Sequence, residues 1–170
     1  MKRKELGRRT FLKAVGAGAF VASSGVASAK PPATRFKTHP TGDEEVPVPV
    51  DTNAQGQANF KLSKSGDELR YKLNAANIDD IIGAHLHQAP AGSNGDVVVS
   101  LFGDPIFVPD DDAVTPNGTF VEGTLIAADL IGPLGGMTMS DLVEAMRAGN
   151  IYVNVHTIEY RGGEIRGQID

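Results

Sequence analysis

Ile81-Ile82-Gly83-Ala84-His85-Leu86-His87 and Ile151-Tyr152-Val153-Asn154-Val155-His156-Thr157 are the two stretches from which the rest of the chain is read. In an extended strand successive side chains point to opposite faces. The alternation predicts His85 and His87 on one face of the first stretch, with Ile82, Ala84 and Leu86 on the other. In the second stretch Ile151, Val153 and Val155 share one face, and Tyr152, Asn154 and His156 share the opposite one. Three of the four histidines in the chain therefore fall on the polar faces of two otherwise apolar strands.

The neighbouring segments alternate in the same way. Residues 57–62 place Ala58, Phe60 and Leu62 on one face, Lys64-Ser65-Gly66-Asp67 makes a turn, and residues 69–73 return with Leu69, Tyr71 and Leu73 aligned. Further short strands are predicted over 35–38, 97–102, 119–126 and 164–169. Val46-Pro47-Val48-Pro49-Val50 reads as an edge or a loop, because proline cannot donate to a central ladder. Residues 103–117, with several prolines and the run Asp110-Asp111-Asp112, read as a surface excursion. One helix is expected over 140–148, with Thr138 and Asp141 as a capping box and Gly149 after its last turn. Many short alternating strands broken by turn clusters predict an all-β domain. The expected fold is an antiparallel Greek-key β-sandwich or barrel with one short helix near the C-terminus.

The first 29 residues read as an export signal; the alternative is an uncleaved N-terminal anchor, although the apolar run is shorter than the ~20 residues a span needs. Lys2, Arg3 and Lys4 precede Gly7-Arg8-Arg9-Thr10-Phe11-Leu12-Lys13, an apolar run over 14–26 follows, and Ala27-Ser28-Ala29 offers a small-x-small cleavage site. The paired arginines followed by Phe and Leu resemble the twin-arginine type. Cleavage near Ala29 leaves a leader and first short strand over 30–41 and a β-sandwich domain over 35–170. An exported product is expected, whether secreted, periplasmic or at the cell surface. Of 16 Lys and Arg, six lie in the signal, and of 21 Asp and Glu, one does, so the mature charge is 10 minus 20, or −10. That balance argues against nucleic acid and anionic lipid as partners. The chain has no cysteine, which excludes disulfides, thiolate metal sites and a cysteine nucleophile. No segment of the mature chain is long and apolar enough to span a membrane as a helix.

Neutral imidazole is a common ligand for zinc, copper, iron and nickel. His85 and His87 are roughly 6.6 Å apart along a strand that rises ~3.3 Å per residue, close enough to converge on one ion. His156 from a neighbouring or facing strand completes a candidate three-nitrogen site for copper or zinc. Glu45, Asn154 and Glu164 are candidates to orient the imidazoles. The competing reading is that each ring bonds a backbone carbonyl or a carboxylate and serves packing alone. Rings turned apart, or each already tied to its own carbonyl, would end the ion-binding reading and leave a plain secreted scaffold. His39, in a Thr-His-Pro turn, lies outside both stretches, and no catalytic set is assigned.

Several blocks resemble the CHRD domain family, named for its occurrence in chordin. They are Gly42 with Glu45-Val46-Pro47; Ala54-Gln55-Gly56 leading to Phe60; Gly83-Ala84-His85-Leu86-His87 with Gly95-Asp96-Val97-Val98-Val99; and 149–157 running into 162–169. The resemblance implies an exported binding or structural module with an unassigned protein or surface partner. In chordin such domains belong to an extracellular antagonist of growth factors. The pair His85-x-His87 with a late His156 is also similar to the copper ligand pattern of copper–zinc superoxide dismutases. The chain lacks that family's cysteines, and no histidine between His87 and His156 supplies the bridging ligand. Two alternatives follow: a copper-dependent dismutase-like metalloenzyme, in which Arg161 or Arg166 would draw in the anionic substrate, and a purely structural cell-surface module.

Overall fold

A computed structural model describes residues 32–103 and 106–170, and the expected signal over 1–29 lies outside the described residues. Among the described residues eight strands form two antiparallel four-stranded sheets. The first sheet has the order β1 (Arg35–Thr38), β2 (Gln55–Leu62), β3 (Leu69–Ala76), β6 (Gly118–Leu125). The second has the order β5 (Asp96–Phe102), β4 (Ile81–Gln88), β7 (Ile151–Thr157), β8 (Ile165–Gln168). β4 and β5 are inserted between β3 and β6, which pair with each other, so the chain crosses between the sheets and returns. The arrangement is a sandwich and not a closed barrel.

The sequence alternation fixes which side of each strand faces the core. Phe36, Phe60, Leu69 and Leu73 from the first sheet meet Ala84, Leu86, Val99, Val153, Val155 and Ile165 from the second in one apolar cluster. Each fully buried aliphatic or aromatic side chain contributes about 1.5–3 kcal/mol before chain entropy is counted. The helix α1 (Met139–Arg147) adds Leu142, Val143 and Met146 to the same cluster. Its start is capped in both directions between Thr138 and Asp141, and Gly149 follows it at φ 69°. Among the described residues no helix is long and apolar enough to cross a membrane.

One expectation changes, and another gains a contact. The pairing of β4 with β7 shifts register between Ile81 and Gly83, a bulge that breaks strict alternation. Ile81, not Ile82, therefore packs with Ala84 and Leu86, and Ile82 is buried outside that cluster. The expected surface excursion is at the surface, with every residue over 106–117 exposed or half-buried, and it also folds back on β4. Val108 donates its N–H to the Ile82 carbonyl at 2.9 Å, and Val114 exchanges backbone bonds with Ile81 at 2.8 and 3.0 Å.

This return has a consequence for the second sheet. An antiparallel sheet in a sandwich ordinarily leaves one face to water. Every residue of β7, and every residue of β4 but its last, is nevertheless buried. The outer face of the second sheet is roofed by loops, and it is the face that carries the histidines.

Candidate metal centre

His85 and His87 project from β4, and His156 from the neighbouring β7, where His85 is paired with Asn154 and Gly83 with His156. The three rings meet under the loop roof, with centroids 4.9 Å apart for His85–His156, 5.7 Å for His85–His87 and 5.8 Å for His87–His156. One nitrogen from each ring lies within 4.8 Å of the corresponding nitrogens of the other two. A tetrahedral ion with bonds of about 2.0–2.1 Å needs nitrogens about 3.4 Å apart, so the rings would have to close by up to about 1.4 Å to hold one. The fourth histidine stays away from the group: His39 is exposed, 3.5 Å from the Gln57 amide nitrogen.

Each ring is tied to its own carbonyl, and only one nitrogen of each is used. A carbonyl oxygen only accepts, so the ring nitrogen facing it carries the proton. His85 Nε2–H donates to Ile106 O at 2.7 Å, His87 Nδ1–H to Gly95 O at 2.9 Å, and His156 Nδ1–H to Arg161 O at 3.0 Å. The remaining nitrogens, His85 Nδ1, His87 Nε2 and His156 Nε2, are buried without a hydrogen-bond partner. The condition for a plain scaffold, each ring tied to its own carbonyl, is therefore met as stated, but it takes up only one nitrogen of each ring. The other nitrogen carries a deprotonated lone pair with its tautomer fixed, the state in which imidazole binds a metal.

Electrostatics keep these rings neutral. Burial pushes His85 down to about 4, with His87 adding a smaller effect in the same direction. Burial and the two neighbouring histidines push His156 down to about 3. His87 is lowered chiefly by burial, and the Arg166 guanidinium works in the same direction.

Glycines let the roof descend. A Cβ on Gly83 would stand 2.6 Å from the Phe107 ring and 2.8 Å from Ile106 O, the carbonyl that accepts from His85. A Cβ on Gly95 would collide with the Gln88 carbonyl, and Gly95 O holds His87. Phe107 closes the space above, 5.7 Å from the His85 ring and 5.2 Å from that of His156. Phe107 and Ile106 were not singled out from the sequence, because the contacts that recruit them come from the return of their loop. The glycine before the histidine pair was the available signal, since it marks close backbone approach.

Beside the triad lies a second buried polar group. Tyr152 stacks on His87 at 5.0 Å with an interplanar angle of 11°, and the Arg166 guanidinium carbon sits 3.5 Å from the Tyr152 ring centre. Arg166 donates to Asn94 Oδ1 at 3.0 Å and Ser93 O at 2.7 Å, and Tyr152 Oη accepts the Gly95 N–H at 3.2 Å. Glu45 and Asn154 come together beneath Gly163, whose φ of 127° and missing Cβ make room for them. Burial lifts the Glu45 carboxyl to about 7 despite the nearby Arg166 charge. Glu164 accepts from Thr52 Oγ1 at 2.8 Å and Thr157 Oγ1 at 2.9 Å. Among the described residues, then, the imidazole N–H groups go to backbone carbonyls, and Glu45, Asn154 and Glu164 occupy neighbouring polar clusters. Arg161, on the turn between β7 and β8, makes an exposed two-oxygen ion pair with Asp110 at 2.5 and 2.7 Å.

No curated protein and no solved structure matches the chain. The family model of the CHRD domain matches residues 36–169, which spans both sheets, the helix and all three clustered histidines. The chain belongs to the CHRD domain family.

Proposed function

We propose that the chain is an exported CHRD-domain module that binds one transition-metal ion, copper or zinc, through His85 Nδ1, His87 Nε2 and His156 Nε2. The observation that carries the reading is the set of three buried, unpartnered lone pairs on rings whose opposite nitrogens are already fixed. Left alone, each buried acceptor costs about 1–3 kcal/mol. One water has two protons and cannot satisfy three acceptors, whereas one ion satisfies all of them. A donor set of nitrogen alone suits copper or zinc and not calcium or magnesium, which take oxygen. The N-terminal basic pair Arg8-Arg9 and the Ala27-Ser28-Ala29 site support export.

The residues around the site favour retention over turnover. The nitrogens lie beneath Phe107 and the turn carrying Arg161, and Arg166, whose charge acts on His87, is buried against Tyr152 instead of facing solvent. Bound copper would supply one-electron chemistry, while the chain's own residues hold the ligand tautomers and exclude water. The test is thermal unfolding of the full chain after chelator treatment, with Cu(II) or Zn(II) added back. Binding to the native state raises the midpoint by mass action, and His85→Ala/His87→Ala abolishes the rise. No rise, or the same rise in the variant, refutes the proposal. Superoxide consumption by the loaded chain would show an enzyme in place of a binding module.

A further inference from the structure

The outer face of the first sheet has the opposite character to that of the second: it is open, and it is basic. Arg35 and Lys37 on β1, Lys61 on β2, and Arg70 and Lys72 on β3 all face solvent. The register sets Arg35 opposite Lys61 and Lys61 opposite Arg70, a row of three cations across three strands. In the adjoining row Lys37 faces Asn59, and Asn59 faces Lys72. Five of the nine Lys and Arg in residues 32–170 thus share one sheet face of an acidic chain. Among the described residues only Lys72 of the five has a carboxylate partner, Glu122 at 3.7 Å. A depression of about 710 Å³ is lined by the five cations together with Asn59 and the acidic Asp170.

Like charges directly opposite on neighbouring strands cost stability. The row is a standing repulsion that a bound polyanion would relieve. Strands are ~4.8 Å apart, so the row presents positive charges at about that step along a line crossing the sheet. Phe36, Phe60 and Tyr71 also line the depression, but among the described residues none offers a free stacking platform: Phe36 and Phe60 point into the core, 4 % and 3 % exposed, and the half-buried Tyr71 gives its Oη–H to Leu101 O. Single-stranded nucleic acid needs such rings, and a bilayer surface needs apolar side chains to insert. Amides stand among the cations instead, with Asn59 between Lys37 and Lys72, and Gln57 paired with Asn74 in the next row. Charge together with amide donors and acceptors suits a polymer bearing both acid groups and hydroxyls.

We propose that this face binds a linear anionic polysaccharide, with its carboxylate or sulfate groups along the Arg35–Lys61–Arg70 row and its hydroxyls on Asn59. The choice of an extracellular polymer rests on the proposed export, but binding by the isolated full chain does not, so the two readings fail separately. The metal centre lies on the other sheet and takes no part.

The experiment measures binding of the full chain to alginate and dextran sulfate by calorimetry, with neutral dextran, duplex DNA and phosphatidylserine vesicles as the other arms. Alginate or dextran sulfate should bind, and neutral dextran should not. Affinity should fall with added salt, and Arg35→Gln/Lys61→Gln/Arg70→Gln should weaken it about tenfold or more and flatten the salt dependence. The triple variant should keep its metal response and melt no lower than the parent at low salt, because it removes a repulsion. His85→Ala/His87→Ala should bind the polysaccharide as the parent does. No binding at low salt, equal binding by the triple variant, or tighter binding of DNA or vesicles overturns the proposal.

Discussion

His85 and His156 face each other at 4.9 Å between ring centres, yet each gives its N–H to a different covering loop, to Ile106 O and Arg161 O respectively. The two loops are joined at the surface by the Arg161–Asp110 ion pair. The roof of the site is thus two separate pieces of chain held together above the rings they orient. An exposed pair of this kind contributes under about 1 kcal/mol. Asp110→Asn should therefore leave the melting temperature within a few degrees of the parent, while chelator competition shows release of bound metal several-fold faster. An unchanged release rate would show that the ion pair does not hold the roof closed.

The histidines give the metal-free chain a definite acid sensitivity. Their native-state values lie below the unfolded value of about 6.5, so below that pH the unfolded chain takes up protons that the native rings refuse. Their contribution is complete above pH 6.5 and is lost as pH falls toward 4 and then 3. Urea unfolding of the metal-free chain should lose on the order of a few kcal/mol of stability across that window, and His156→Gln should lose less. Because the rings are already neutral at pH 7, metal uptake should release almost no protons from them. Calorimetry in buffers of different ionisation enthalpy reads this number directly, and release of more than the one proton that a metal-bound water could lose contradicts rings neutral at pH 7.

Glu45 has the opposite sign. Its carboxyl is raised from 4.5 to about 7, so its favourable contribution is present below pH 4.5 and is lost as pH rises through 7. Glu45→Gln should melt several degrees above the parent at pH 8.5, with the difference shrinking toward pH 5. Equal melting temperatures at both values would mean that burial does not govern this carboxyl.

Gly83→Ala tests the close approach of the roof. The added methyl meets the Phe107 ring and Ile106 O at 2.6 and 2.8 Å, and relieving such overpacking costs about 1–3 kcal/mol. Because Ile106 O fixes the His85 tautomer, metal affinity should fall about tenfold or more, even where the variant remains folded by circular dichroism. A stable variant with parental affinity would show that the His85–Ile106 bond does not position the ligand.

Much of this was legible in the sequence. Period-two alternation in β2, β3 and β7 gave the sheets and their core faces, and the spacing of His85, His87 and His156 gave the triad. The bulge at 81–83 was only half legible: Gly83 marks a bulge or a close approach, but it does not say which of the two isoleucines keeps the core side, so Ile82 was given the place that Ile81 occupies. The carbonyl partners were hidden for a related reason. Backbone acceptors belong to every residue type, and Ile106, Gly95 and Arg161 became partners only when their loops closed. The basic face was obscured by the net charge, which averages over surfaces that the fold keeps apart.

The most direct measurement is X-ray absorption at the copper or zinc edge of the loaded full chain, at one ion per chain. Three imidazole nitrogens at about 2.0–2.1 Å are predicted, with the imidazole signature reduced in His156→Ala. A shell of oxygen ligands alone, or a spectrum unchanged in that variant, would contradict the convergence of the three rings on a single ion.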